Sequence, residues 1–107
     1  MSGERVVEYI RYRIEPEQRA DFEQAYVAAA AVLARAGQCV DYELTRCVDE
    51  PVRYVLRITW TSAEDHLRGF RTGELFPPFF AAIRPFVGNI EEMRHYAPTP
   101  VHGSGAA

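Results

Sequence analysis

The stretch Tyr54-Val55-Leu56-Arg57-Ile58-Thr59-Trp60-Thr61-Ser62-Ala63-Glu64-Asp65-His66-Leu67-Arg68-Gly69-Phe70 decides the fold. Its first half alternates. Tyr54, Leu56, Ile58 and Trp60 lie on one side, Val55, Arg57 and Thr59 on the other, the period-two pattern of a strand with one face buried. Ser62 then offers a side-chain oxygen where a helix must begin, and Glu64 and Asp65 put negative charge in its first turn. Ala63, His66, Leu67 and Phe70 follow at helical spacing, so the strand runs directly into a helix with a histidine on its inner face. Trp60, the single tryptophan, stands at the corner.

Upstream, residues 39–48 form a second alternating segment, with Val40, Tyr42 and Leu44 on one face and Cys39, Asp41, Glu43, Thr45 and Cys47 on the other. Asp49-Glu50-Pro51 is a turn that joins it to the 52–61 strand as a hairpin. Further upstream, residues 5–14 alternate again and place Val6, Ile10, Tyr12 and Ile14 together, with Glu8 in the same row. Pro16 and Glu17 start a helix that runs to about Arg35 with a stripe of Phe22, Ala25, Tyr26, Ala29, Val32 and Leu33, and Gly37 is placed as its C-terminal cap. Downstream of the opening stretch, Thr72-Gly73 interrupts the helix. A second helical piece spans about 74–86, with Pro77 and Pro78 near its start and Pro85 near its end. Residues 88–96 make a last strand.

The order strand, helix, strand, strand, broken helix, strand is that of a ferredoxin-like α+β sandwich, a four-stranded antiparallel sheet with helices on one face. One domain covers residues 1–97, and 98–107, with Pro98, Pro100, Gly103 and Gly105, reads as a flexible tail. The other sheet face would carry Val7, Tyr9, Arg11, Arg13, Asp41, Glu43, Val55, Arg57 and Met93. Apolar groups mixed with both charges suit a homodimer through this open face, with arginines meeting acids across a two-fold axis; charge pairs within each sheet are the alternative.

The whole chain of 107 residues is 48% hydrophobic, enough for one core, and its net charge of −3 argues against a nucleic-acid binder. All 12 basic residues are arginine. Two cysteines, Cys39 and Cys47, form neither a disulfide framework nor a zinc motif, and read as free thiols of a reducing compartment. No apolar run approaches the ~20 residues of a membrane span, and the N-terminus has no signal core. A cytoplasmic protein without membrane association is expected.

Four segments in order, Tyr-x-Leu-x-Ile-x-Trp at 54–60, Ser62-Ala-Glu-Asp-His66-Leu67, Phe79-Phe80-Ala-Ala-Ile-Arg-Pro85 and Glu92-Met93-Arg94-His95-Tyr96, resemble the antibiotic biosynthesis monooxygenase family. The resemblance spans nearly all of Val6 to Tyr96. It implies a dimeric α+β barrel with a pocket beside Trp60. Some members of the family oxidise aromatic polyketides with dioxygen and no bound cofactor, some act on quinols, some open haem, some isomerise sugar phosphates, and some are joined to truncated globins. Leu56 stands where the cofactor-free anthrone oxygenases carry an asparagine, four residues before the tryptophan. Gly69 stands where the haem-opening branch carries its histidine, which disfavours haem.

His66 and Trp60 are the candidate catalytic residues. His66, with an ordinary pKa near 6.5, could accept a phenolic proton; the competing role is a core histidine with its nitrogens satisfied. Trp60 could stack on a flat substrate or simply fill the core. Tyr12, Tyr42, Tyr54, Leu56, Phe70 and Phe79 are candidate substrate contacts. Glu8 needs a partner, with Arg94 or Arg46 as candidates, and His95 is read as surface or interface. No metal site and no cofactor are expected. Two functions follow: a cofactor-independent monooxygenase of a planar phenol or quinol, or a non-catalytic binding module serving a redox partner such as a globin.

Overall fold

A computed structural model describes residues 4–107. Strands β1 (Val6–Arg13), β2 (Cys39–Arg46), β3 (Arg53–Trp60) and β4 (Ile90–Tyr96) form one antiparallel sheet in the order β2-β3-β1-β4. Helix α1 (Arg19–Leu33) connects β1 to β2, and the helical elements after β3 include α2 (Phe76–Ile83), which packs on α1. This is the ferredoxin-like α+β arrangement, with β1 and β3 central and both helices on one face.

The inner face is one continuous row on each central strand. Tyr12 lies opposite Tyr54, Ile10 opposite Leu56, Glu8 opposite Ile58 and Val6 opposite Trp60, and all eight side chains are buried. From α1, Phe22, Tyr26, Ala29 and Leu33 close over the Tyr12–Tyr54 end, as the helical stripe requires. Phe22 is the hub there, with the rings of Tyr12, Tyr26, Tyr54 and Phe86 at 4.8, 5.2, 4.9 and 5.3 Å. Pro77 occupies the first turn of α2, where its missing N–H costs nothing, and Pro85 opens the 3₁₀ turn Arg84–Asn89 that ends it.

Three departures from simple alternation place side chains differently from the sequence reading. A bulge in β4 lets Tyr12 face Ile90 while Arg11 faces Glu92, so Ile10 meets Met93 and Glu8 meets His95. Met93 and His95 therefore stand on the helix side of the sheet, not on its open face. A second irregularity in β2 puts Cys39 opposite Trp60 and against the core, apart from Asp41. Burial pushes the Cys39 thiol up to about 11, with the Asp41 charge adding to the shift.

The third is the helix after β3. Ser62 caps it, receiving the Asp65 N–H at 3.0 Å, and Thr61 donates to the Asp65 carboxylate at 2.5 Å. From Asp65 to Phe70 the winding is π rather than α, with Arg71 N–H bonded to the His66 carbonyl. The wider turn keeps His66 and Phe70 inside and swings Leu67 out to 47% exposure, against the expected inner placement. Gly73 permits the return of the chain: a Cβ there would lie 2.7 Å from the Gly69 carbonyl oxygen, so only glycine fits without a backbone shift. Gly37 does not act as a left-handed cap; α1 is capped earlier, at Ala34.

On the open face the arginines find acids within their own chain. Arg57 meets Asp41 at 2.8 Å, Arg53 meets Glu91 at 2.7 Å and Glu50 at 2.7 Å, and Arg13 meets Glu15 at 2.8 Å. Tyr9 packs edge-on against Tyr96 at 5.3 Å.

Candidate functional site

Between the sheet and the second helical layer lies a cavity of about 170 Å³. Its walls are apolar, with Ile10 and Ile58 from the sheet, Phe70, Phe76 and Phe79 from the helical segments, and Met93 from β4. Polar groups gather at one end, where Glu8 and His66 meet Trp60. Arg71 is the one guanidinium among the lining residues, its charge near the Phe76 ring at 5.7 Å.

The polar end is assembled from β1, the corner after β3, and β4. Glu8 is 2% exposed, and its Oε1 accepts the Trp60 indole N–H at 2.9 Å. This answers the question of what a carboxylate does in an apolar row: it is held by the tryptophan, with two histidines beside it, and not by Arg94 or Arg46. Arg94 instead pairs with Glu92 at 2.8 Å. His66, 6% exposed, stacks flat on Trp60, with ring centres 4.4 Å apart and planes 12° from parallel. Its Nε2 lies 3.5 Å from Glu8 Oε1 and its Nδ1 lies 2.7 Å from His95 Nε2. His95 reaches within 4.0 Å of the other Glu8 oxygen. Burial raises the Glu8 carboxyl above its usual range, opposed by the Trp60 hydrogen bond and by His95 and Arg71. Burial, with His95 and Arg71 beside it, pulls His66 down to about 4, so the imidazole is neutral at neutral pH.

Five of the eight residues singled out in the sequence come together here. Trp60 and His66 form the polar corner, and Phe70 and Phe79 line the wall. Tyr12 contributes its ring, but its hydroxyl pairs with Tyr26 and burial pushes it up to about 12. Tyr54 is turned to the other end, where its hydroxyl donates to Glu23. Tyr42 sits on edge strand β2, 37% exposed and away from the cavity, and Leu56 is buried without reaching the lining. His95 is the residue that alternation missed, because the β4 bulge reverses its side. With it the site gains an acid–histidine cluster: one ligand atom from each of Glu8, His66 and His95 falls within 4.8 Å of the others.

A four-stranded antiparallel sheet with helices on one face, and an apolar pocket between them closed at one end by a carboxylate and imidazoles, defines a protein of the ferredoxin-like class. Within that class the chain belongs to the antibiotic biosynthesis monooxygenase family, whose model matches residues 5–81. The uncharacterized protein YczJ of Bacillus subtilis is 26% identical over 76 residues, 71% of this chain and 80% of that one. Among solved structures, a Bordetella bronchiseptica protein named as a candidate antibiotic biosynthesis monooxygenase superposes with a TM-score of 0.73 at 23% identity, covering 91% of this chain and 99% of its own. SnoaB, a cofactor-independent oxygenase from Streptomyces nogalater, superposes with a TM-score of 0.70 at 24% identity over 92% of this chain and 98% of its own. These likenesses establish the shared fold. No helix among the described residues is long and apolar enough to cross a membrane.

Proposed function

We propose that this chain oxygenates a planar, electron-rich phenol or quinol bound in the Trp60 pocket, the substrate itself supplying the electrons. The observation that carries the reading is an apolar pocket whose polar groups converge at one end, where a neutral His66 is braced by Trp60 and Glu8. A phenol directed at that end loses its proton to His66, a weak base in this site whose imidazolium is compensated by the Glu8 carboxylate as it forms. The phenolate passes one electron to dioxygen, and the two radicals join at a hydrogen-bearing ring carbon, para to the oxygen in a phenol and ortho to it in a quinol. Loss of the proton on that carbon and cleavage of the O–O bond leave a quinone (a hydroxyquinone from a quinol) and one water. The phenol gives four electrons, one oxygen atom stays on the ring and the other leaves as water.

The dimensions favour a small ring system. A cavity of roughly 150 Å³ holds one benzene, so the 170 Å³ here encloses a single ring and lets a larger fused system extend through the mouth. Oxygen uptake should be measured with a panel of hydroquinones, naphthols and anthrones. Uptake should fall by roughly 10²–10⁴-fold in His66→Ala, the usual contribution of a positioned acid–base group. Uptake equal to that of the variant on every substrate would reject the reading. The rival role, a binding module serving a redox partner such as a globin, draws on Leu56, which supplies no amide to the pocket; saturable binding of the same compounds with no uptake would favour it.

The open sheet face is proposed as a homodimer surface, as is common in the family. Half-buried Val7 and Val55 flank the part-exposed pair Tyr9 and Tyr96 there. Sedimentation of the chain is expected to give a dimer mass, with Tyr9→Glu shifted toward monomer; a monomer at all concentrations would end the proposal.

A further inference from the structure

We propose that Glu8, His66 and His95 bind a divalent first-row transition ion of the zinc class at the polar end of the pocket. Two imidazoles and one carboxylate make the donor set, nitrogen and oxygen of intermediate softness, which suits zinc, cobalt or ferrous iron better than magnesium or calcium.

The spacing is close to what an ion needs. Three donors each about 2.0–2.2 Å from a tetrahedral ion stand roughly 3.3–3.5 Å apart. One donor atom from each of the three residues lies within 4.8 Å of the other two. His95 Nε2 stands 2.7 Å from His66 Nδ1 and 4.0 Å from Glu8 Oε2, and His66 turns its other nitrogen, Nε2, to Glu8 Oε1 at 3.5 Å, so an ion would draw one nitrogen of His66 and one Glu8 oxygen toward His95 Nε2. The donors sit on β1, on the π-wound turn and on β4, so the frame is fixed by the sheet and not by a mobile loop.

The supporting shell is already in place. The Trp60 indole N–H holds Glu8 Oε1, orienting the carboxylate, and its ring fixes the plane of His66 by stacking. Two imidazole nitrogens at 2.7 Å must share something positive between their lone pairs, either one proton or one ion. Three protein donors leave a fourth position open, and the apolar cavity lies on that side. Arg71 opposes a cation at the site, but it is exposed to solvent, which screens its charge.

The proposal stands apart from the oxygenation reading. An ion would occupy the lone pairs that accept the substrate proton, so metal loading and proton transfer at this cluster exclude one another. Oxygen uptake is therefore measured in chelator, and metal binding is measured without substrate.

The test is calorimetric titration of the chelator-treated, dialysed full chain with Zn²⁺, with Co²⁺ absorption as the spectroscopic readout of nitrogen–oxygen coordination. One ion per chain is expected, with no response to Mg²⁺. His95→Ala and Glu8→Gln should each weaken Zn²⁺ binding by on the order of 100-fold or more, and Trp60→Phe, which removes the supporting N–H and shrinks the ring stacked on His66, by roughly 10-fold. His102→Ala and the double variant Cys39→Ser/Cys47→Ser should bind as the parent does. The absence of a saturable Zn²⁺ isotherm, or an isotherm unchanged by His95→Ala, overturns the proposal. Should Glu8→Gln fail to fold, His95→Ala decides alone, since its side chain is partly exposed at the edge of the site. Zn²⁺ binding without oxygen uptake would sink the oxygenase and leave the metal site standing; uptake without Zn²⁺ binding would do the reverse.

Discussion

Phe22→Ala is expected to destabilise the fold by about 4 kcal/mol, the middle of the range for deleting a buried aromatic ring. Phe22 is fully buried and sits at the centre of four other rings, two from the central strands, one from its own helix and one from the 3₁₀ turn before β4. These neighbours belong to different elements anchored elsewhere, so they cannot collapse together into the space left by the ring. The loss therefore combines the transfer of the ring and the cavity that remains. For a domain of this size it amounts to a fall in Tm of roughly 15–30 °C, out of a total stability of typically 5–15 kcal/mol. The matched control is Phe80→Ala, a phenylalanine on α2 that is part-exposed, where about 1 kcal/mol is expected. Thermal unfolding by circular dichroism separates the two; equal shifts would show that the aromatic cluster is not the mechanical centre of the fold.

The architecture was legible because its determinants are periodic. Alternation in 5–14 and 52–61 assigned the central rows, the stripe from Phe22 to Leu33 assigned the face of α1, and Ser62, Pro77 and Pro85 marked helix ends by backbone chemistry alone. The site was only half legible, because two of its features are breaks in period. At Glu91-Glu92 two consecutive acids both belong to the open side of the sheet, and counting by twos through them inverts Met93, Arg94, His95 and Tyr96. The adjacent acids were the one available signal: neither can be buried without a partner, so one extra residue had to be inserted there. At Asp65–Phe70 the π winding moved Leu67 outward, and a segment of six residues is too short for its spacing to distinguish a π turn from an α turn. Glu8, by contrast, stood out in the sequence as a carboxylate in an apolar row. What it needed was a partner, and the partner was hidden by the bulge that brings His95 across.

Glu8→Gln isolates the charge of that carboxylate from its shape, and it should leave the fold intact while lowering oxygen uptake by roughly 10²–10⁴-fold. The amide is isosteric and still offers an oxygen to the Trp60 N–H, so the 2.9 Å hydrogen bond and the stack of Trp60 on His66 can survive. What disappears is the negative charge beside His66 Nε2. When His66 takes the substrate proton, the new imidazolium sits in a buried site with His95 and Arg71 as its other charged or chargeable neighbours, both unfavourable to it. Glu8 is the group that compensates that charge, and a glutamine cannot. Glu8→Leu removes the acceptor as well; it leaves the indole N–H without a partner in the core and should lose about 1–3 kcal/mol of stability in addition. The pair of variants thus divides the two roles. A Glu8→Gln protein that unfolds like the parent but turns over slowly, with His95→Ala less impaired, places the carboxylate in the reaction. Full activity in Glu8→Gln would reduce Glu8 to a support for Trp60 and leave His66 to act alone.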